Sequence, residues 1–187
     1  MEFVLRFLLI ENFKMENIKI EQAYQNTFSG LTMYYRDCEL SEDLVTRYKV
    51  DQIIQERGFT DVSNQAEGLA KNVRFAIASN SASNLGGINP EVAKYGFHLI
   101  ASGAYFKVLD IYKIGHKTQI MLMHFNEAYL EIFNSTKSNI EDKIVLVGRK
   151  SLDTKIEMQP NAILNNEEWT VRTQHPIGMS ETGTFFL

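Results

Sequence analysis

The stretch YFKVLDIYKIGHKTQIMLMHF, residues 105–125, says more about the fold than any other part of the sequence. Its two halves are rich in β-branched and aromatic side chains, and they flank the pair Gly115 and His116. A two-residue loop that begins with glycine is typical of a type II′ hairpin turn. The sequence therefore predicts antiparallel strands over residues 105–113 and 117–125.

The turn sets the register of this hairpin. Apolar side chains then lie on both faces of its middle, so we expect other elements to cover both faces. Two strands alone are marginally stable, and a third strand must come from elsewhere in the chain or from a second subunit. The predicted register pairs Phe106 with Phe125, Val108 with Met123, Leu109 with Leu122 and Ile111 with Ile120.

Five segments predict helices by their apolar spacing or by their capping residues. Ser41 and Asn89 are good N-caps, and Ser138 begins a capping box. Two of the segments keep an alternative, because VRFAIA at 73–78 and KIVLV at 143–147 are also typical of short buried strands. In the first segment, Ser29 and Gly30 indicate a break in the helix, because glycine disfavours a helix interior. The helices are expected at residues 21–38, 41–57, 63–79, 89–103 and 138–156.

These elements predict the α+β class. We expect one domain over residues 1–187, in which several helices pack on a small antiparallel sheet centred on the hairpin 105–125. Residues 160–187 have the composition of an irregular C-terminal tail with a short element at Glu167–Thr173.

The N-terminal segment invites two interpretations. Residues 1–14 are interpreted as a non-native or disordered extension, because the sequence from Met15 onward resembles a natural start; the alternative is a genuine first strand or helix. Arg6 interrupts the apolar run, which disfavours a signal peptide. No segment of the sequence reaches the roughly 18 apolar residues that a membrane span needs, so we expect no membrane association.

Composition excludes several classes of partner. The chain carries 19 basic and 23 acidic residues, a net charge of −4, and its basic residues form no stripe, so no nucleic-acid partner is expected. The single cysteine, Cys38, cannot form an internal disulfide, which fits a reducing compartment and a cytoplasmic location. Its acidic neighbours, Asp37 and Glu39, raise the pKa of a thiol, so we expect an inert cysteine.

No cofactor, metal ion or catalytic residue is predicted. The loop SNSASNLGGI, residues 79–88, lacks the lysine of a P-loop and the spacing of a dinucleotide motif, so a hinge is preferred to an anion site. The sequence also lacks the G-x-S-x-G elbow of a serine nucleophile. His124 is expected opposite Lys107 in the hairpin. The histidines lack the spacing of metal ligands: His98, His116, His124 and His175.

These missing signatures favour binding over catalysis. We expect a protein-binding or self-associating module without catalytic activity, whose partner is another protein or a second copy of the chain. The incomplete sheet edge supports this, and so does the tail, because tryptophan and arginine are common at interface hot spots. The predicted binding residues are Trp169, Arg172 and His175. The alternative is that the tail clasps its own domain and Trp169 fills its core.

The alternative function is an enzyme or a small-ligand-binding protein. Its pocket would lie between the hairpin and the 79–88 loop, lined by Asp110, Asn80 and Ser81. Asp110 is the one acid inside the hairpin, and partial burial raises the pKa of a carboxyl group toward the range useful in acid–base chemistry. No base shares its predicted face, so a structural acid paired with a tyrosine, a lysine or a backbone amide is the other interpretation.

Overall fold

The computed structural model describes the backbone of residues 2–185 and the side chains of residues 15–185. This part of the chain contains six α-helices and eight β-strands. The helices are α1 (Glu2–Phe28), α2 (Glu42–Val45), α3 (Pro90–Ala93), α4 (Leu130–Ser135), α5 (Asn139–Lys155) and α6 (Glu167–Thr173). The strands are β1 (Thr32–Cys38), β2 (Ile53–Glu56), β3 (Thr60–Ser63), β4 (Val73–Ser79), β5 (Ser83–Asn84), β6 (Phe97–Ile100), β7 (Ala104–Ile114) and β8 (Lys117–Phe125).

The eight strands form one mixed sheet in the order β2-β7-β8-β4-β1-β3-β6-β5. β4 and β8 run parallel in its middle, and the other neighbouring strands are antiparallel. The α+β class is confirmed, but the expected small antiparallel sheet is wrong, because the hairpin 105–125 supplies two strands of a much larger sheet. Most of the missing strands lie in segments whose spacing predicted helices.

The boundary between α1 and β1 shows why the predicted helix 21–38 is half wrong. Gly30 has φ +71°, a conformation that favours glycine and that commonly ends a helix. Beyond it, Thr32–Cys38 alternates between the two faces of the sheet, with Tyr34, Arg36 and Cys38 buried. Residues 2–14 continue α1 at its other end.

β4 lies in the predicted helix 63–79, which is wrong over this part, and the strand alternative for VRFAIA is confirmed. All seven residues of β4 are buried. A strand that is covered on both faces shows a continuous apolar run, and such a run also fits a helical spacing. Its one charged residue, Arg74, forms a bidentate salt bridge with Asp37, in which both N–O distances are 2.7 Å.

The predicted helices 41–57 and 89–103 are reduced to one turn each, α2 and α3. Ser41 and Asn89 cap them as expected, through bonds from the amides of Leu44 and Glu91. The remaining residues include the four-residue strands β2 and β6, which pair with β7 and β3. Strands this short contain too few residues for apolar spacing to separate them from a helix.

The hairpin keeps the predicted two-residue loop, and Ile111 lies opposite Ile120 as expected. A β-bulge at Leu109 then shifts the register by one residue, so that His124 lies opposite Phe106. The predicted pairs beyond the bulge are therefore off by one, because turn geometry does not reveal an extra residue inserted further along a strand.

Helices α1, α4 and α5 cover one face of the sheet around β8. Ala23, Met121 and Phe133 lie in the apolar core between them. The capping box that predicted a helix from Ser138 is present in α5, and the strand alternative for KIVLV is wrong. Gly148 of α5 lies so close to β8 that an added Cβ would be 1.6 Å from the Met121 methyl carbon.

The opposite face of the sheet has a second core, which includes Phe75, Leu122 and Ile177. None of the helices in the described part of the chain is long and apolar enough to cross a lipid bilayer.

Candidate functional site

A polar cavity of about 280 Å³ lies where three distant parts of the chain meet. One wall is the C-terminal end of α1, the second is the start of the loop after β4, and the third is the end of β8 with the residues that follow it. The parallel pairing of β4 with β8 brings the last two walls together. The cavity is lined by Asn26, Thr27, Asn80, Ser81, His124, Phe125, Asn126 and Tyr129.

His124 contacts two serine hydroxyls at this cavity. The register of the parallel pair places Ala78 beside Met123, so the next residues, Ser79 and His124, also lie side by side. The Nδ1 atom of His124 is 2.8 Å from the Ser79 hydroxyl and 3.2 Å from the Ser81 hydroxyl. The backbone amide of Ser81 donates to the Ser79 hydroxyl at 3.3 Å, which fixes the two serines relative to each other.

The His124 ring is neutral at pH 7, because burial lowers its pKa to about 4. The contacts with the two serines fit either ring tautomer; we take the one with its hydrogen on Nε2, which leaves the Nδ1 lone pair to accept from a serine hydroxyl. Among residues 15–185 no carboxylate contacts the ring, and Ser79 is the group that orients it.

The two serines differ in access. Ser79 is 0% exposed and cannot touch a ligand, whereas Ser81 is exposed at the cavity wall. A serine hydroxyl in contact with an unprotonated imidazole nitrogen is a nucleophile next to its base. The arrangement therefore suits nucleophilic attack by Ser81, with His124 as the proton acceptor and Ser79 as a positioning residue.

Asparagine side chains hold the walls of the cavity together. The Asn80 amide donates to the backbone carbonyls of Asn26 and Ser29, the latter at 3.1 Å, and so ties the loop to the end of α1. The Asn26 amide donates to the Tyr129 hydroxyl at 2.6 Å and joins α1 to the turn after β8. These contacts shape the cavity from residues that lie far apart in the sequence.

Thr27 is the unexplained polar group of this wall. Its side chain is 3% exposed, and its hydroxyl has no hydrogen-bond partner among the described residues. A buried hydroxyl without a partner costs about 1–3 kcal/mol of stability. The oxygen itself is closed off from solvent, so a ligand in the cavity does not reach it.

The sequence predicted part of this site. Asn80 and Ser81 line the cavity, and the hairpin contributes a wall, but the contributing residue is His124 and not Asp110. Asp110 instead forms a two-pronged contact with Arg149 of α5, at 2.6 and 2.7 Å. Asp110 is thus a paired structural acid, but its partner is an arginine of α5 and not the expected tyrosine, lysine or backbone amide.

The sequence missed His124 and Thr27. For His124, the predicted register placed it opposite Lys107, and nothing in the sequence indicated that β8 pairs with β4. For Thr27, no local pattern distinguishes a hydroxyl at a cavity wall from one that caps or faces solvent. Cys38 is buried, and burial raises the pKa of its thiol to about 12, which agrees with the expected inert cysteine.

The three predicted binding residues lie in or after α6. Trp169 is 2% exposed and packs on the rings of Tyr95 and Phe97, the intramolecular contact that the sequence left as the alternative. Arg172 lies 3.5 Å from a carboxylate oxygen of Asp61. The backbone carbonyl of His175 accepts a hydrogen bond from the Arg36 side chain of β1.

Comparison with known proteins finds similarity in structure alone. No protein-family model matches the chain, and no curated protein matches it in sequence. The type III effector XopAI from Xanthomonas axonopodis pv. citri has a TM-score of 0.45 and 17% identity, over 51% of this chain and 44% of that one. The ADP-ribosyltransferase HopU1 of Pseudomonas syringae pv. Tomato has a TM-score of 0.46 and 13% identity, over 51% and 46%. C3stau2 from S. aureus, solved with NAD, has a TM-score of 0.42 and 12% identity, over 52% and 63%.

The chain thus spans about half the length of the first two of these structures. The expectation of a protein-binding module without catalytic activity is corrected, because Trp169, one of the two features on which it rested, packs inside the chain's own fold. Within the chain, the sheet edge on which that expectation rested is completed by the chain's own strands. The alternative function, an enzyme or small-ligand-binding protein, is favoured instead.

Proposed function

We propose that the chain is an enzyme that transfers or hydrolyses the acyl group of a small polar ester, with Ser81 as nucleophile and His124 as base. One observation carries the proposal. The exposed Ser81 hydroxyl lies 3.2 Å from Nδ1 of a neutral imidazole, at the wall of a cavity of about 280 Å³. This volume lies just below the range for small-molecule pockets, about 300–1,000 Å³, so the ligand is small.

The reaction uses only groups that the cavity supplies. The Ser81 oxygen attacks the acyl carbon while its proton passes to Nδ1 of His124, and the same proton then goes to the departing alkoxide. The acyl group is left on Ser81 as an ester. Water, deprotonated by His124, releases it as a carboxylic acid and restores the serine.

Labelling with a fluorophosphonate probe tests this proposal. The probe phosphonylates a serine that has a base beside it, and peptide mass spectrometry identifies the modified residue. We expect the label on Ser81, no label in Ser81→Ala, and labelling at least about tenfold slower in His124→Gln, within the range lost with a general base. Ser83→Ala is the matched control, because Ser83, the first residue of β5, is an exposed serine two positions away that does not line the cavity. Label spread equally over Ser81 and Ser83 would reject the proposal.

A second candidate is ADP-ribosyl transfer, the activity named for HopU1. The observation that favours it in this chain is Arg36 of β1, whose guanidinium is buried. It follows directly after Tyr35, which forms with Ser63 the single residue pair between β1 and β3. A guanidinium matches the geometry of a phosphate group such as those of NAD. The Arg36 side chain is buried, and its Nε and Nη2 donate to the carbonyls of Thr173 and His175, at 3.3 and 2.7 Å, so a nucleotide would have to displace this segment.

Titration with NAD separates the two candidates. If Arg36 binds a nucleotide phosphate, NAD raises the melting temperature of the chain, and Arg36→Lys abolishes the rise. The Ser81→Ala variant retains the rise, because Ser81 lies in the other site. No shift with NAD at millimolar concentration would exclude this second candidate.

A further inference from the structure

Three arginine and lysine side chains of the described residues are buried in the sheet, and one of them has no carboxylate partner. Arg74 forms its bidentate salt bridge with Asp37, and Lys107 lies 3.1 Å from the Glu141 carboxylate. Arg36 is 5% exposed, and it forms no ion pair with the part of the chain that the structure describes. A buried charge is costly unless a neighbouring group compensates it. Arg36 therefore depends on the neutral acceptors that lie against it.

Those acceptors belong to a segment that crosses the sheet. Residues 173–179, called the strap from here on, run from the end of α6 over the face of the sheet that carries Arg36. The Nε and Nη2 atoms of Arg36 donate to the strap carbonyls of Thr173 and His175. A guanidinium bonds a phosphate oxygen more strongly than a neutral carbonyl. A phosphate group would therefore compete with the strap for the same two donors, and the two cannot occupy Arg36 together.

The rest of the strap is held mainly through its backbone. The Ile177 carbonyl accepts from the Tyr48 hydroxyl at 2.6 Å, and the Gly178 amide donates to the Glu56 carboxylate at 2.9 Å. The Ile177 side chain is 0% exposed, whereas residues 174 and 175 are exposed. A short segment held in this way opens locally, at less cost than the sheet beneath it.

We propose that the strap is an autoinhibitory element, which occupies Arg36 when it is closed and admits a phosphate-bearing ligand only when it opens. The proposal rests on the second candidate function, whose phosphate contact is Arg36, and it does not involve Ser81 or His124. It adds regulation to that site, because anything that holds the strap closed lowers the affinity for the ligand.

Strap opening and ligand binding are then linked through one equilibrium. The apparent dissociation constant equals the intrinsic constant divided by the fraction of molecules whose strap is open. A variant that loosens the strap without touching Arg36 therefore tightens binding by the factor by which it increases opening. A variant that merely damaged the fold would weaken binding, so the sign of the effect separates the two.

Two variants loosen the strap in different ways. Tyr48→Phe removes the donor to Ile177, and Gly178→Ala places a Cβ at a residue whose φ is +120°, a conformation that favours glycine. Calorimetric titration of the full chain with NAD should show about tenfold tighter binding for each variant than for the wild-type chain, the effect of one lost strap bond. If one variant fails to fold, the other decides.

Each variant has a matched control elsewhere in the chain. Tyr112→Phe removes a tyrosine hydroxyl that bonds to Asp153 at the surface. Gly115→Ala strains an exposed glycine of the hairpin loop, whose φ is +59°. Both controls should bind NAD with the affinity of the wild-type chain.

Hydrogen exchange reports the strap directly. The amides of Gly178 and Met179 are bonded to β2 while the strap is closed. Saturating NAD should make these two amides exchange faster, while the amides of β4 exchange more slowly because a bound ligand stabilises the fold. Slower exchange at 178 and 179 would show that NAD binds with the strap closed, which would overturn the proposal.

The outcomes for the strap and for the second candidate are distinguishable. Binding of NAD that is lost in Arg36→Lys, but is equal or weaker in Tyr48→Phe and Gly178→Ala, overturns the strap proposal and leaves the second candidate standing. Absence of NAD binding to the wild-type chain and to both loosened variants rejects the two together. Tighter binding in the loosened variants, with unchanged controls and faster exchange at 178 and 179, supports both.

Discussion

At the scale of the residue, His124 shows how position alone changes what a side chain can do. A solvated histidine takes up a proton near pH 6.5. In this protein, burial beside Ser79 lowers the pKa to about 4, so the ring keeps its acceptor nitrogen through the whole physiological range. The same burial makes protonation of the ring a source of instability.

The shifted pKa predicts a loss of stability in mild acid. Between about pH 6.5 and pH 4 the unfolded chain binds a proton at His124 that the folded chain does not, so the free energy of unfolding falls as the pH falls. The shift from the ordinary value corresponds to a loss of about 3 kcal/mol. Urea unfolding at pH 7.0, 5.5 and 4.5 measures it.

His124→Gln isolates the contribution of this ring, because glutamine keeps an acceptor for Ser79 and does not titrate. The variant should lose less stability than the wild-type chain over the same pH interval. Parallel curves for the two proteins would show that His124 is not the group responsible.

At the scale of the element, the sequence predicts those parts that have a local cause. The hairpin loop at Gly115, the capping box at Ser138 and the element at Glu167–Thr173 all depend on residues within a few positions of one another, and all are present. The strands β1 and β4 were mistaken for helices because their burial depends on neighbours from elsewhere in the chain. A strand that is buried on both faces is apolar at nearly every position, so its sequence fits the apolar spacing of a helix as well as that of a strand.

Packing between α5 and β8 predicts that a glycine-to-alanine substitution within a helix, which usually stabilises a protein, destabilises this one. Alanine in place of glycine within an exposed helix stabilises it by about 1 kcal/mol. At Gly148 the new Cβ would lie 1.6 Å from the methyl carbon of Met121, which is itself fully buried. Gly148→Ala should therefore destabilise the protein by about 1–3 kcal/mol, the usual effect of overpacking.

Thermal unfolding of Gly148→Ala, Met121→Ala and the double variant measures this contact. We expect the double variant to be more stable than the sum of the two single losses, since the shorter side chain at 121 makes room for the new methyl group. Additive losses would place the cause outside this contact.

At the scale of the whole molecule, the candidate site joins residues that no local pattern connects. Asn26 and Tyr129 are 103 residues apart, and Ser79 and His124 are 45 apart. The sequence identified Asn80 and Ser81 because polar loops are visible in composition. It could not identify His124, whose contacts arise only when the parallel pairing of β4 and β8 brings its ring beside Ser79.

The segment after α6 also joins distant parts, since the Tyr48 hydroxyl donates to the Ile177 carbonyl at 2.6 Å in a buried setting. Tyr48→Phe removes the donor and leaves that carbonyl unpaired, so we expect a loss of about 1–3 kcal/mol. Hydrogen exchange of the amides at 177–179 should become faster.

Tyr112→Phe is the control for that variant, because the Tyr112 hydroxyl bonds to Asp153 at the surface. Its effect should stay within about 0.5 kcal/mol, as for most surface substitutions. Equal losses in the two variants would show that the segment after α6 adds little to the stability of the fold.

The parallel pair in the middle of the sheet has a consequence for synthesis on the ribosome. β4 gains its antiparallel neighbour β1 as soon as it emerges, but its other edge must wait for β8. At about 5–20 residues per second, the 45 residues from Ser79 to His124 take roughly 2–9 seconds. For that interval the nascent chain displays an unpaired, almost wholly apolar strand edge, which is the kind of surface that chaperones bind and that aggregation begins from.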